Sequence, residues 1–204
     1  MTELVLTALA ACLALSQPVP QIVRLVRTRS VQGVSGPTTW LGLTINAGWV
    51  AFGIARGLLP VAVLSLAYVV GYSAIAWLLL RGGNRSGLVT AMVSTGAIVA
   101  TAVVFGWTVL GTALALTVAV QFIPQVALAW RGSDLTALSG GTYVVCGLDG
   151  IVWGGYGILH AEAPLVLYGF VMASVAVLVL VPKRRWTAKD AAEAAAAGMI
   201  RPAH

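Results

Sequence analysis

The sequence predicts an all-α polytopic membrane protein, seven transmembrane helices arranged as two parallel three-helix bundles joined by a linker helix. Composition, the placement of basic residues and an internal repeat carry that prediction. Of 204 residues, 59% are hydrophobic and only 9% charged, and the mean hydropathy is +0.95. A water-soluble domain covers its surface with roughly 25% charged residues, so this chain has no ordinary aqueous exterior. A bilayer core about 30 Å thick takes ~20 residues per helix, which allows roughly six to eight spans and leaves no room for a separate catalytic domain.

Charge, Pro, Gly and Asn divide the apolar sequence into segments at 3–23, 38–57, 60–80, 88–105, 107–130, 139–159 and 163–182. The first contains Leu9-Ala10-Ala11-Cys12, which looks like a lipoprotein cleavage box. No basic residue precedes it, however, and the first arginine is Arg24, so the segment reads as a retained span rather than a signal peptide. The second and third spans are separated near Pro60, the third and fourth by Arg81 to Ser86, and the fourth and fifth only by Phe105-Gly106-Trp107, the weakest of the breaks. The fifth span contains Pro124, the sixth contains Asp149, and the seventh ends at Pro182-Lys183. In the tail, Thr187-Ala188-Lys189-Asp190 fits a helix start on the membrane surface, with disorder as the alternative, and Trp186 beside Lys183, Arg184 and Arg185 suits an interfacial anchor.

Basic residues test the count. With the amino terminus outside, the cytoplasmic loops and tail hold Arg24, Arg27, Arg29, Arg81, Arg85, Arg131, Lys183, Arg184, Arg185, Lys189 and Arg201, and only Arg56 falls outside. The positive-inside rule then favours an odd number of crossings and a cytoplasmic carboxyl terminus, in a multi-pass protein of the plasma membrane. The net charge of +6 is scattered over loops instead of forming a stripe, which argues against nucleic-acid binding. Cys12 and Cys146 lie in apolar runs without metal-ligand spacing and read as packing residues.

A shift of 104 positions lays Pro20-Gln21 on Pro124-Gln125 and continues without a gap to Pro60 on Pro164, with ten identities in 41 positions. The identities include Arg27 with Arg131, Ser35 with Ser139, Trp49 with Trp153 and Gly53 with Gly157. This reads as an internal duplication. The shift carries spans one to three onto five to seven and leaves the fourth unmatched. Because that span separates the copies, both three-helix units keep one membrane orientation. The expected organisation is a first repeat at 1–82, a linker helix at 83–106, a second repeat at 107–182 and a cytoplasmic tail at 183–204.

These residues resemble a known family. Pro20-Gln21 and Pro124-Gln125 are similar to the paired signature of the PQ-loop proteins, which include the SWEET sugar transporters and lysosomal exporters of cystine and cationic amino acids. Trp49-x-x-Phe52-Gly53 and Trp153-x-x-Tyr156-Gly157 look more like the SWEETs. The resemblance covers residues 3 to 182. It implies that Asp149, one turn before Trp153, faces a substrate pocket with Ile45 as its counterpart in the first repeat. It also implies pocket positions on the third and seventh spans, where SWEETs carry asparagines. This chain has only Asn46 and Asn84, and those positions fall to Leu66 or Tyr68 and to Phe170 or Met172, which puts a typical hexose or disaccharide in question.

Each motif has a chemical reason. Pro20 and Pro124 lack an N–H and leave the carbonyls of Ser16 and Val120 without their helical donors. Gln21 and Gln125 are placed to supply amide N–H groups, and the kinked segments can hinge during transport or only bend the helix. Asp149 is the only ionisable side chain deep in a span. A lone carboxylate there is costly unless it meets water, a donor or a proton, whether it serves a pocket or packing alone. Asn46 is the other polar side chain at that depth. Trp49 and Trp153 offer flat faces for stacking on a sugar ring or for closing a path, the alternatives being packing or an interfacial belt. His160 and Glu162 read as solvated loop residues, and Asn84-Arg85-Ser86 spells a glycosylation acceptor on the wrong side of the membrane.

Together these features point to a transporter of a small polar solute, most simply a sugar moved by passive alternating access. The substrate-binding set is Ile45, Asn46, Trp49, Tyr68, Asp149, Trp153 and Phe170, and the hinge set is Pro20, Gln21, Pro124 and Gln125. A proton-coupled exporter of a cationic or cystine-like amino acid is the alternative, and a non-transporting receptor or scaffold the third reading. An enzyme would need a nucleophile, base and orienting group in one pocket, and the histidines, His160 and His204, lie in a loop and at the terminus. No cofactor or metal is expected. The expected partners are a small-molecule substrate and the lipid bilayer, with homo-oligomerisation open.

Overall fold

The structure, a computed structural model, describes Arg27, residues 34–131 and residues 140–196; at Pro124 and beyond Arg185 the description is of the backbone alone. The expected first span, with Cys12, Pro20 and Gln21, lies outside the described residues, as do Arg201 and His204. Six helices follow in order among them: α1 Gly36–Ala55, α2 Leu59–Arg81, α3 Leu88–Phe105, α4 Trp107–Trp130, α5 Gly140–Leu159 and α6 Ala163–Ala196. Five are long and apolar enough to cross a membrane, α6 over Ala163–Arg185. The described residues are helical apart from turns, and the chain is a multi-pass integral membrane protein.

Local chemistry sets the helix ends. Ser35 caps α1, its hydroxyl accepting from the Thr38 backbone N–H at 3.4 Å, and Pro37 sits in the first turn, where a missing N–H is harmless. Phe105 ends α3 and Trp107 begins α4 because Gly106 takes φ 83°, a left-handed value that breaks the helix at no side-chain cost. The α1–α2 and α5–α6 turns are built alike. Leu58 N–H donates to the Gly53 carbonyl at 2.7 Å and Glu162 N–H to the Gly157 carbonyl at 2.8 Å. Gly57 (φ 70°) and Ala161 (φ 55°) hold equivalent left-handed positions. Gly53 and Gly157 let the second helix of each pair approach, since an added Cβ would stand 2.7 Å from the backbone nitrogen of Ala62 or of Val166.

Helix α1 packs on α2, α3 and α4, whereas α6 packs on α4 and α5. This central place explains why α1 is rich in small residues, which let neighbouring helices come close in a medium that supplies no hydrophobic drive. Helix α3 has no buried residue and lies at the periphery against α1 and α4, tied by a Thr44–Ser94 hydroxyl bond of 2.7 Å. At the end that bears the α1–α2 and α5–α6 turns, one core takes buried residues from every described helix but α3, namely Ile45, Trp49, Phe52, Val61, Leu110, Leu114, Tyr156 and Leu165, and α3 packs Ile98 and Ala102 against it. At the opposite end the buried clusters are separate. Ala129, Tyr143, Val175 and Val179 belong to α4, α5 and α6, and Ile75 and Leu79 to α2.

The last helix corrects an expectation. The sequence places the end of the final span at Pro182 and a fresh helix start at Thr187, but α6 runs unbroken from Ala163 to Ala196 with Pro182 inside it. A proline there deprives the Leu178 carbonyl of its donor. The Trp130 indole N–H of α4 replaces that donor at 2.8 Å. Trp130→Phe is therefore expected to cost about 1 kcal/mol, a fall of a few degrees in melting temperature in detergent. The cost should vanish once Pro182→Ala returns an N–H to the helix. Additive effects in the double variant would show that the two residues do not serve one carbonyl.

Candidate functional site

A cavity of about 200 Å³ lies between α1 and α2 on one side and α4, α5 and α6 on the other. It begins beneath the joined core, at Val61 and Leu165, and extends along the helices to Tyr72 and Phe122. Six residues singled out in the sequence line it: Ile45, Asn46, Trp49, Tyr68, Asp149 and Trp153.

Phe170 is a correction. It is 70% exposed on the outer surface of α6, while Tyr168 and Met172 line the cavity. The reason is helical phase, since residues four apart share a face and the residue between them points away. Leu66 and Tyr68 divide similarly, with Leu66 half exposed and Tyr68 on the cavity. Gln125 does not line the cavity either. Its Oε1 receives a long hydrogen bond of 3.5 Å from the Tyr143 hydroxyl, and the glutamine on the cavity is Gln121, one turn earlier.

Asp149 is 3% exposed, and its Oδ2 accepts from the Tyr168 hydroxyl at 2.6 Å, with the Trp153 side chain beside the same carboxyl. Among the lining residues it is the only charged group, and no Lys, Arg or His accompanies it. Trp49 stands edge-on to Tyr168 with ring centroids 5.9 Å apart, and Trp153 edge-on to Tyr156 at 5.8 Å. The Asn46 amide donates to its own helix, at the Gly42 carbonyl, over 2.8 Å. The site thus combines one acid, several hydroxyls and amides, and aromatic rings, groups whose chemistry is able to hold a polar solute by hydrogen bonds and stacking.

Glu162 is not the solvated loop residue its sequence context suggests. Its side chain is 7% exposed and pairs with Arg56, NH2 to Oε1 at 2.8 Å and Nε to Oε1 at 2.9 Å. Arg56 belongs to the α1–α2 turn and Glu162 to the α5–α6 turn, so the pair bridges the two sides of the cavity over the joined core.

Two of the unanticipated residues had a legible signal. The 104-position shift extends back to lay Gln17 on Gln121, and it lays Leu64 and Tyr68 on Tyr168 and Met172, so the face of the last helix that meets the cavity is the one carrying Tyr168. Nothing local in the sequence distinguishes Glu162 from an ordinary loop acid.

Residues 4–62 match the family model for the PQ loop repeat. The fold is similar to that of a eukaryotic SWEET transporter solved at 3.7 Å resolution, with a TM-score of 0.75, 13% sequence identity, and coverage of 92% of this chain and 97% of that one. No curated protein sequence matches the chain.

Proposed function

We propose, from the PQ loop repeat match over residues 4–62 and the similarity of the fold to that of a SWEET transporter, that this chain is a membrane transporter that carries a small polar solute, a sugar in the first instance, by passive alternating access. The observation that carries this reading is the cavity walled by both sides of the molecule, holding a carboxyl, hydroxyls and two tryptophans near mid-helix. The chain crosses the membrane seven times, residues 3–23 supplying the first span, with the amino terminus outside and the carboxyl terminus in the cytoplasm. Two three-helix repeats, 1–82 and 107–182, rock about the central site, and the helix within 83–106 joins them.

Under this topology the α1–α2 and α5–α6 turns face outward. The joined core and the Arg56–Glu162 pair then seal the outer side, and the Pro20-Gln21 and Pro124-Gln125 segments hinge the cytoplasmic side. Ile45, Asn46, Trp49, Tyr68, Asp149 and Trp153 contact the solute. Asp149 takes the place of an amide, accepting from a sugar hydroxyl, while Trp49 and Trp153 offer ring faces to its apolar side. A second reading has one specific support. A buried acid with no basic residue beside it suits an amino acid or other cation moved with a proton.

The test is uptake by vesicles reconstituted with the full chain, using glucose, sucrose, lysine and cystine, with and without a pH gradient. Hexose uptake that survives collapse of the gradient is expected. Uptake of lysine or cystine that stops when the gradient is dissipated would overturn the sugar reading.

A further inference from the structure

One tyrosine on α6 touches two other helices at the cavity. Tyr168 of α6 donates to Oδ2 of Asp149 on α5 at 2.6 Å. Its ring stands at 78° to that of Trp49 on α1, and Trp49 is held in turn edge-on to Phe52, centroids 5.5 Å apart. An O–H···O bond of this length to a carboxyl is among the strong hydrogen bonds, and the low-dielectric surroundings strengthen it. One oxygen of Asp149 is therefore occupied by the protein. The Trp153 side chain is a second partner of the same carboxyl, and the acceptor positions that remain are those a solute can use. Under the 104-position shift the counterparts of Asp149 and Tyr168 are Ile45 and Leu64, an apolar pair, so the acid and its donor occur together on one side of the molecule and are absent together on the other.

We propose that Tyr168 is a specificity-determining positioning residue: by holding Oδ2 it fixes which acceptor positions Asp149 offers, and because Trp49 sets its ring, that acceptor is assembled only while the Trp49 ring of α1 stays against the Tyr168 ring of α6. The inference rests on the reading of the cavity as a solute site and adds a coupling between binding and closure. A solute that uses the assembled acceptor favours the closed arrangement by its differential affinity and by no more than that. The groups facing Asp149 are Tyr168 from α6, Tyr68 from α2, and Cys146 and Trp153 from its own helix, while Tyr72 of α2 lines the same cavity beside Tyr68. Asn46 of α1 and Gln121 of α4 add polar but non-titrating groups to the lining.

The test reads the carboxyl directly. In the full chain in detergent, the carbonyl band of protonated Asp149 is followed by infrared difference spectroscopy through a pH titration and assigned by its loss in Asp149→Asn. Tyr168→Phe keeps the ring and its contact with Trp49 but removes the hydroxyl. It is expected to move the band and its pH midpoint, and to raise the half-saturating glucose concentration about tenfold, the size of one lost charge-assisted hydrogen bond, with little change in maximal rate. Trp49→Leu leaves the hydroxyl but frees the ring, and is expected to broaden the band. An unmoved band in folded Tyr168→Phe overturns the positioning role, and an unchanged band in Trp49→Leu overturns the coupling to α1. Because the spectra need no solute, a moved band without glucose uptake supports the Tyr168–Asp149 pairing and counts against the sugar reading alone.

Discussion

Asp149→Leu is expected to reduce solute flux ~100-fold or more, whereas Asp149→Asn keeps flux and alters only its affinity. The isosteric amide can still accept from the Tyr168 hydroxyl at the position Oδ2 now occupies, 2.6 Å away, and it still offers a polar atom to the solute. Leucine offers neither, and it strands a buried hydroxyl at a cost of about 1–3 kcal/mol while removing the cavity's one charged contact. The contrast also separates the two transport chemistries. In a passive carrier the Asn variant responds to a pH gradient as the parent does, while in a proton-coupled carrier it loses its dependence on the gradient. Rates in reconstituted vesicles, measured at several solute concentrations, check both. Parental flux in Asp149→Leu would remove the carboxyl from the transport path.

Breaking the Arg56–Glu162 pair is expected to open the end of the molecule that it covers. Glu162 is nearly buried, but Arg56 is 42% exposed in its side chain, so solvent screens the pair and its worth is nearer ~1 kcal/mol than the several kcal/mol of a fully buried one. Placed across the joined core, even that amount shifts a two-state equilibrium about fivefold. Cys146 supplies a reporter, because it lines the cavity and is a free thiol. In Glu162→Gln, a membrane-impermeant thiol reagent applied from outside should modify Cys146 about fivefold faster than in the parent. The exchanged pair, Arg56→Glu with Glu162→Arg, should return the rate toward the parental value. Equal labelling rates in all three proteins would mean that the pair holds nothing shut.

Much of the architecture follows from features that act over a few residues. Gly106 splits an apolar run of more than forty residues into α3 and α4 at the positions expected, because its φ of 83° is a property of that one residue. The broad boundaries of α1, α2 and α5 follow from Pro37, Pro60 and the loop residues for the same reason. Asp149 was identifiable as a residue needing a partner, since a carboxyl deep in an apolar segment must be satisfied whatever surrounds it.

What could not be read depends on distances between helices. Which residue answers Asp149 was settled by the packing of α6 on α5, which turns Tyr168 and Met172 inward and Phe170 out. Glu162 became an ionic bridge because two turns 106 residues apart in sequence come together, Arg56 with Glu162. Helix α6 continued past Pro182 because Trp130, on a different helix, donates to the carbonyl that the proline leaves without a partner. A hydrogen bond or ion pair between helices needs both partners at one place to within a few tenths of an ångström. Periodicity and composition determine which face of a helix is apolar, but the separation and rotation of neighbouring helices decide which side chains on that face meet.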